Sequence, residues 1–336
     1  MNGEQYNNIL IVKPSSLGDV VHAMPFLSAL RKRFPDAYIS WVVNKGLEPL
    51  FDGVSELNDL IIFDRYEWRD TIFHFIRDLR KRRFDVVIDL QCLLRSGIFS
   101  FLSGASVRIG LGDGREGSRF FYTHIVDIPD TPMHSVERYM LCAEYLDAGT
   151  DKRDFLLRVT EEEKAVGRKL FGIKEKEFVI VNPGGRWTTK RWLPSGFASI
   201  IDYLERVYGI RSVIIGTEEE MSIADEIVSA SKIAIPIMAT GKTSLRELIA
   251  LISESSFIIA NDTGPMHIAS ALGIPVIVIF GPTNPLKTGP YGDKHTVIKA
   301  DVECAPCFKK HCEDMRCMKY IASEEVIRKI DTQIQT

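Results

Sequence analysis

The sequence predicts an α/β protein built from two doubly wound, Rossmann-like halves. Short β-branched runs alternate with stretches of helical periodicity, a break at residues 147–158 (DAGTDKRDFLLR) interrupts the alternation once, and the same alternation then starts afresh. A chain of 336 residues has room for two domains, and 45% hydrophobic with 26% charged residues suffices for a core in each. Forty-two Lys and Arg against 45 Asp and Glu leave a net charge of -3, which argues against a general nucleic-acid binder.

In the first half, Asn8 to Lys13 (NILIVK) reads as a buried strand, PSSLG as a loop, and Asp19 to Phe34 as a helix stopped by Pro35. Strands follow at Tyr38 to Val43, Leu60 to Phe63, Asp85 to Leu90 and Val107 to Ile109, with helices at Trp68 to Arg83, Leu93 to Leu102 and Ser135 to Leu146. The second half repeats the scheme. Its strands are Phe178 to Asn182, Ser212 to Gly216, Ile235 to Met238, Phe257 to Ala260 and Val276 to Phe280, and its helices Ser195 to Tyr208, Glu218 to Ser231, Ser244 to Ser253 and Pro265 to Leu272. The expected division is 1–155, 156–322 and a terminal capped helix over 323–336 that can pack back on the first domain. Ligands of such sheets sit at the carboxyl ends of the strands.

The sharpest of these ends is FIIANDTGPMHIASALG, residues 257–273. Pro265 suits a first helical turn, so the backbone N–H groups of Thr263, Gly264 and Met266 would face outward as an anion site, with His267 one turn on. Asp262 or Thr263 can equally be a plain helix cap. At the second end, NPGGRWTTKRW, Lys190 and Arg191 suit a leaving diphosphate and Thr188 and Thr189 offer hydroxyls, although a solvated basic loop has the same composition. FGPTN, residues 280–284, would close that pocket. In the first half, Asp19 stands where strand gives way to helix. A carboxylate there can take a proton from an attacking hydroxyl or merely cap the helix; His22, one turn on, is an alternative base or a packed helix residue. Gly112, Gly114 and Gly117 spell G-x-G-x-x-G, which by itself suggests a nicotinamide or flavin oxidoreductase, but no amphipathic helix follows and a substrate-facing loop fits better.

Taken together, IVKPSSLGDVVHAMPFLSALRKRFPDAYISWVV, DVVIDLQCLLRSG, HSVERY, NPGGRWTTKRW and ANDTGPMHIASALGIPVIVIFGPTNP resemble glycosyltransferase family 9, in particular its ADP-heptose:lipopolysaccharide heptosyltransferases. The resemblance implies a GT-B architecture, two Rossmann-like domains facing across a cleft, with an N-terminal acceptor domain and a C-terminal nucleotide-sugar domain. It also implies inversion at the anomeric carbon, with no catalytic metal and no cofactor. Asp19 becomes the general base, with Ser15, Ser16 and Gly18 of the same motif on the acceptor. Lys190, with Thr188 and Thr189, supports the donor diphosphate; Asp262 contacts the sugar; Thr263, Gly264 and His267 hold the diphosphate side. The chain has SLRE where the family often places a ribose-binding Glu, so either Glu247 takes that role or the nucleotide contact differs. The partners implied are ADP-heptose and a lipopolysaccharide core acceptor. A non-catalytic nucleotide-sugar binding module would share the 262–267 site and lack the base chemistry.

MNGEQYNN has no signal-peptide pattern and no uncharged apolar stretch reaches bilayer length, so the expected location is the cytoplasm. The basic clusters Arg31 to Arg33 and Arg80 to Arg83 can contact the inner membrane's cytoplasmic face, or simply complement helix C-termini. Cys92 and Cys142 lie in apolar segments. Cys304, Cys307, Cys312 and Cys317, spaced C-x2-C-x4-C-x4-C, form a structural element that can be a zinc site, a pair of local disulfides or reduced thiols.

Overall fold

The computed structural model describes residues 4–335. The chain divides between Arg158 and Val159, within a few residues of the expected boundary. The first unit contains β1 (Asn8–Val12), α1 (Leu17–Arg33), β2 (Tyr38–Asn44), β3 (Asp59–Phe63), α2 (Trp68–Lys81), β4 (Val86–Asp89), α3 (Leu94–Leu102), β5 (Val107–Leu111), β6 (His124–Val126) and α4 (Ser135–Tyr145). All pairings are parallel, in the order β3-β2-β1-β4-β5-β6, with Ile9 opposite both Ile39 and Val86. This is the doubly wound order, which reverses between β1 and β4.

The second unit runs α5 (Glu161–Phe171), β7 (Phe178–Asn182), α6 (Pro194–Tyr208), β8 (Arg211–Ile214), α7 (Met221–Ala230), β9 (Ile237–Met238), α8 (Leu245–Glu254), β10 (Ile258–Asn261), α9 (Gly264–Ala271), β11 (Val276–Phe280), α10 (Pro285–Thr288), β12 (Thr296–Lys299), α11 (Arg316–Lys319) and α12 (Ser323–Gln335). Its sheet, β12-β11-β10-β7-β8-β9, is also parallel and repeats the first topology with the reversal between β7 and β10.

The central strands are buried on both faces, as parallel sheets require, which is why NILIV and FVIVN read as continuous apolar runs. The Phe63, Phe75 and Phe99 rings, with centroids 4.8 to 5.2 Å apart, knit β3, α2 and α3 together in the first core. In the second, the Trp192 ring lies 5.1 Å from Phe197 and its indole N–H donates to the Ile321 carbonyl at 3.1 Å. Only glycine fits at 196, where a Cβ would stand 2.5 Å from that ring.

Three features go beyond the sequence reading or refine it. The terminal helix α12 spends its apolar face in the second unit, burying Val326 and Ile330 beside α6, and its Asp331 accepts from the Tyr203 and Tyr208 hydroxyls at 2.8 and 2.9 Å. The edge strands β6 and β12 escape the sequence reading because each buries only one residue, Val126 and Ile298. Finally, Gly112, Gly114 and Gly117 do not open a helix. They lie between β5 and a short 3-10 turn at Ser118–Phe121, and the Gly112 N–H donates to Val126 of the neighbouring strand at 2.8 Å. In this strand order a dinucleotide fingerprint belongs after the first strand of a sheet, so the topology gives the oxidoreductase reading no site.

Candidate active site

The two reversal points are where this fold places ligands, and both carry the singled-out residues. In the first unit, β1 runs through Lys13 and Pro14 into α1, with Ser16 at its N-cap and Asp19 in its first turn. Asp19 Oδ2 accepts from the Ser16 amide at 3.0 Å and the Ser16 hydroxyl at 2.7 Å, so the cap role is real. The other oxygen, Oδ1, faces Lys13 Nζ at 4.0 Å and the Tyr139 hydroxyl at 3.5 Å, and the side chain keeps 36% exposure. Gly18 is buried in the same turn, while Ser15 and Ser16 lie on its accessible side.

Lys13 and Tyr139 are functional neighbours that sequence reasoning missed. Lys13 is 3% exposed, with its ammonium 5.0 Å from the Tyr139 ring centroid. Burial works against its charge, but Tyr139 and Asp19 outweigh it and hold its pKa above the usual value. The only signal was a lysine closing an apolar strand, easily taken as a strand end turning to solvent. Next to Tyr139, Arg138 grips Asp113 through both nitrogens, Nε at 2.8 Å and an Nη at 2.5 Å. The glycine-rich loop therefore braces α4. His22 is 3% exposed with its ring 4.8 Å from that of His134, a packed position on the helix.

In the second unit the ends of β11, β10 and β7 lie side by side. Asp262 Oδ2 takes the Lys190 ammonium at 2.6 Å and the Thr283 hydroxyl at 2.6 Å, bringing together residues from three strand-end loops. Lys190 also stands 4.9 Å over the Trp187 ring. The Thr263 hydroxyl donates to Asn182 Oδ1 and, at 3.3 Å, to the Asn261 carbonyl. Thr263 is the N-cap of α9, no side chain caps that N-terminus, and Pro265 lies in its first turn. His267 is buried in the first turn of the same helix.

Two of the expected site residues make contacts within the fold. Thr189 is buried and its hydroxyl donates to the Lys309 carbonyl at 2.8 Å, leaving the exposed Thr188 as the available hydroxyl of the pair. Glu247 forms a capping box on α8, accepting from the Ser244 amide at 2.7 Å, while Arg246 pairs with Glu163 at 2.6 Å. Two supporting residues were missed. Glu220 accepts from the Gly185 amide at 2.7 Å and fills the space where a Cβ on Gly184 would meet its carboxylate at 2.1 Å. Asn261 donates to the Pro183 carbonyl at 2.7 Å and accepts from the Trp192 amide at 3.2 Å. Glu220 closes a TEEE run that reads as a solvated acidic turn, and only the fold reveals what it holds.

The sequence model of glycosyltransferase family 9 (heptosyltransferase) matches residues 72–317. Lipopolysaccharide heptosyltransferase 1 of Pseudomonas aeruginosa is 29% identical over 90% of this chain and 87% of its own. Among solved structures, a family 9 glycosyl transferase from Veillonella parvula is 25% identical with a TM-score of 0.85, covering 98% of both chains. E. coli heptosyltransferase WaaC with ADP-2-deoxy-2-fluoro heptose is 23% identical with a TM-score of 0.74, covering 97% of this chain and 99% of its own. With two Rossmann-like units of GT-B type and a family match across most of its length, this chain belongs to glycosyltransferase family 9, the heptosyltransferases.

Proposed function

We propose that the protein moves a heptose from ADP-heptose to a lipopolysaccharide inner-core acceptor with inversion, and that Asp19 is the general base. The acceptor oxygen bonds to the anomeric carbon as the bond from that carbon to the diphosphate breaks, and the hydroxyl proton passes to Asp19 Oδ1. Charge gathering on the departing ADP is met by the Lys190 ammonium and the N-terminus of α9. Asp262, buried against Lys190, orients that cation and the sugar. Inversion requires a base on the face opposite the leaving group, and Asp19 is the residue to which this reading gives that role.

The observation that carries this reading is the division of labour within Asp19: Oδ2 is fixed by Ser16 while Oδ1 lies beside a buried lysine on a side chain 36% exposed. Asp19→Asn should lower kcat by about 10² to 10⁴ with ADP-heptose affinity intact. A folded Asp19→Asn protein with near-normal turnover would remove the base assignment.

We also infer that the protein works at the cytoplasmic face of the inner membrane. No described helix is long and apolar enough to cross a bilayer, so contact would be peripheral. The loop leading to α2 and α2 itself expose Tyr66 (81%) and Phe73 (82%), with Arg65 and Arg69 stacked on Tyr66 and Trp68. Apolar rings flanked by cations suit an anionic lipid surface. Arg31 contributes little to this, because it is spent on the end of α1, donating to the Phe34, Pro35 and Ala37 carbonyls. Arg82 is likewise paired with Asp59 and Asp78. Vesicle co-sedimentation should show anionic lipid preferred, with binding reduced by salt and by Phe73→Asp; equal, salt-insensitive binding to neutral vesicles would refute it.

A further inference from the structure

The densest group of nucleophilic side chains outside the transfer site is the four-cysteine loop. Cys304, Cys307, Cys312 and Cys317 all line one small cavity, together with Thr189 and Pro282, and none is disulfide-bonded. Cys317 is anchored in α11 and buried; burial pushes its thiol pKa up, and the other three thiols push it further. The other three lie on backbone without helix or strand.

This loop is tied to the donor site from both sides. The Cys307 and Phe308 amides donate to the Pro282 carbonyl at 3.0 and 2.8 Å, in the strand-end loop that also carries Thr283. Thr189 donates to Lys309, and the Lys310 ammonium stands 5.4 Å from the Trp187 ring that Lys190 also touches. At Gly281 a Cβ would meet Met318 Sδ at 2.4 Å, so α11 seats directly on the end of β11.

We propose that these four cysteines form a tetrathiolate site for a soft divalent cation, and that its occupancy fixes the loop carrying Lys190. Four sulfurs sharing one cavity suit a single tetrahedral ion, and C-x2-C-x4-C-x4-C spacing lets a short loop wrap it. On binding, each thiol gives its proton to solvent as a metal–sulfur bond forms. Lys309, Lys310 and Lys319 on the same segment offset part of the resulting negative charge, while Arg316 is held by Asp314. Among the described residues no three His, Cys, Asp or Glu side chains are set to hold a metal, so binding draws the sulfurs of Cys304, Cys307 and Cys312 in toward Cys317. The site has no open position, so the ion is structural.

The test uses the full chain purified under reducing conditions without chelator. Metal analysis should find one zinc per chain, and cobalt added to stripped protein should give thiolate charge-transfer absorption with tetrahedral d–d bands. The Cys307→Ser/Cys312→Ser variant should lose both. Reduced protein that takes up neither metal, or that contains two disulfides in this segment, would overturn the site. The link to Lys190 rests on the donor-site reading and is read separately, by calorimetry with ADP. Stripping the metal should weaken ADP binding roughly tenfold, the low end of the cost of losing a supporting shell. Metal uptake with unchanged ADP affinity would overturn the link and leave the metal site standing, whereas ADP failing to bind either form would count against the donor-site reading itself.

Discussion

Replacing Lys190 by Met leaves the Asp262 carboxylate buried with the Thr283 hydroxyl but without its cation. The pair is close, 2.6 Å, and unevenly buried, with Asp262 at 5% side-chain exposure and Lys190 at 19%. Removing one member of a buried pair costs about 3–5 kcal/mol, mostly through the charge left behind. Because Lys190 keeps some contact with solvent, the lower end applies, about 3 kcal/mol. For a unit of this size that corresponds to a fall in Tm of about 6–12 °C. The informative variant is the double one. Lys190→Met/Asp262→Asn removes the stranded charge, so it should be more stable than Lys190→Met alone. If Lys190 also meets the leaving diphosphate, ADP affinity should stay low in both variants, because the amide restores packing and not the cation. Thermal denaturation and calorimetric titration with ADP separate the two effects. A double variant as unstable as the sum of the singles would refute the ion-pair argument, and ADP binding that recovers along with stability would refute the donor role.

Gly196→Ala drives a methyl to 2.5 Å from the Trp192 ring, an overpacking worth about 1–3 kcal/mol, and should lower the unfolding midpoint followed by tryptophan fluorescence; an unchanged midpoint would show that the ring yields freely. Asp202 accepts from the Lys232, Ile233 and Ala234 amides at 2.8 to 3.0 Å. Burial pushes its pKa up, but these amides pull it down further and the net shift is downward, so its contribution to stability is full above about pH 4, the unfolded value. That contribution is lost as the pH falls through the folded value, and Asp202→Asn should flatten this part of the acid limb of stability; an identical limb would contradict the assignment. Ser16→Ala removes the 2.7 Å bond to Asp19, should cost about 1 kcal/mol as a lost cap, and should lower kcat about 10- to 100-fold through misplacement, with ADP affinity unchanged.

The fold was legible because its parallel strands are buried on both faces, so β1, β7, β10 and β11 appear as short apolar runs bounded by turn residues. The edge strands β6 and β12 were not, since one buried residue in three or four leaves no periodicity. The strand ends pointed to Asp19, Lys190, Asp262 and Thr263 because each sits where a strand stops and a loop or helix begins. What stayed hidden are the long-range partners. Tyr139 is 120 residues from Asp19, Glu220 is 35 from Gly185, and Lys309 is 120 from Thr189. No local pattern encodes such pairings, and Thr189 shows the consequence: a loop threonine beside a lysine looks available for phosphate until the fold shows its hydroxyl already donated.

The two halves share one topology, and each sets an aspartate near its strand-order reversal, yet the environments assign them different chemistry. Asp19 comes in the first turn of the helix after the first strand of its sheet, 36% exposed, and the Lys13 ammonium lies 4.0 Å from its Oδ1, at the limit of a salt bridge. Asp262 follows the fourth strand of its sheet, 5% exposed, and is clasped by Lys190 at 2.6 Å and Thr283 at 2.6 Å. A carboxylate held by a direct ion pair is placed to fix the position of its cation. One with a loosely placed counter-charge and an oxygen near solvent has the setting that the proposed base requires. Each copy of the fold therefore carries an aspartate next to its strand-order reversal, one partly exposed and loosely paired, the other buried and clasped, a difference that suits the proposed base and cation-holding roles.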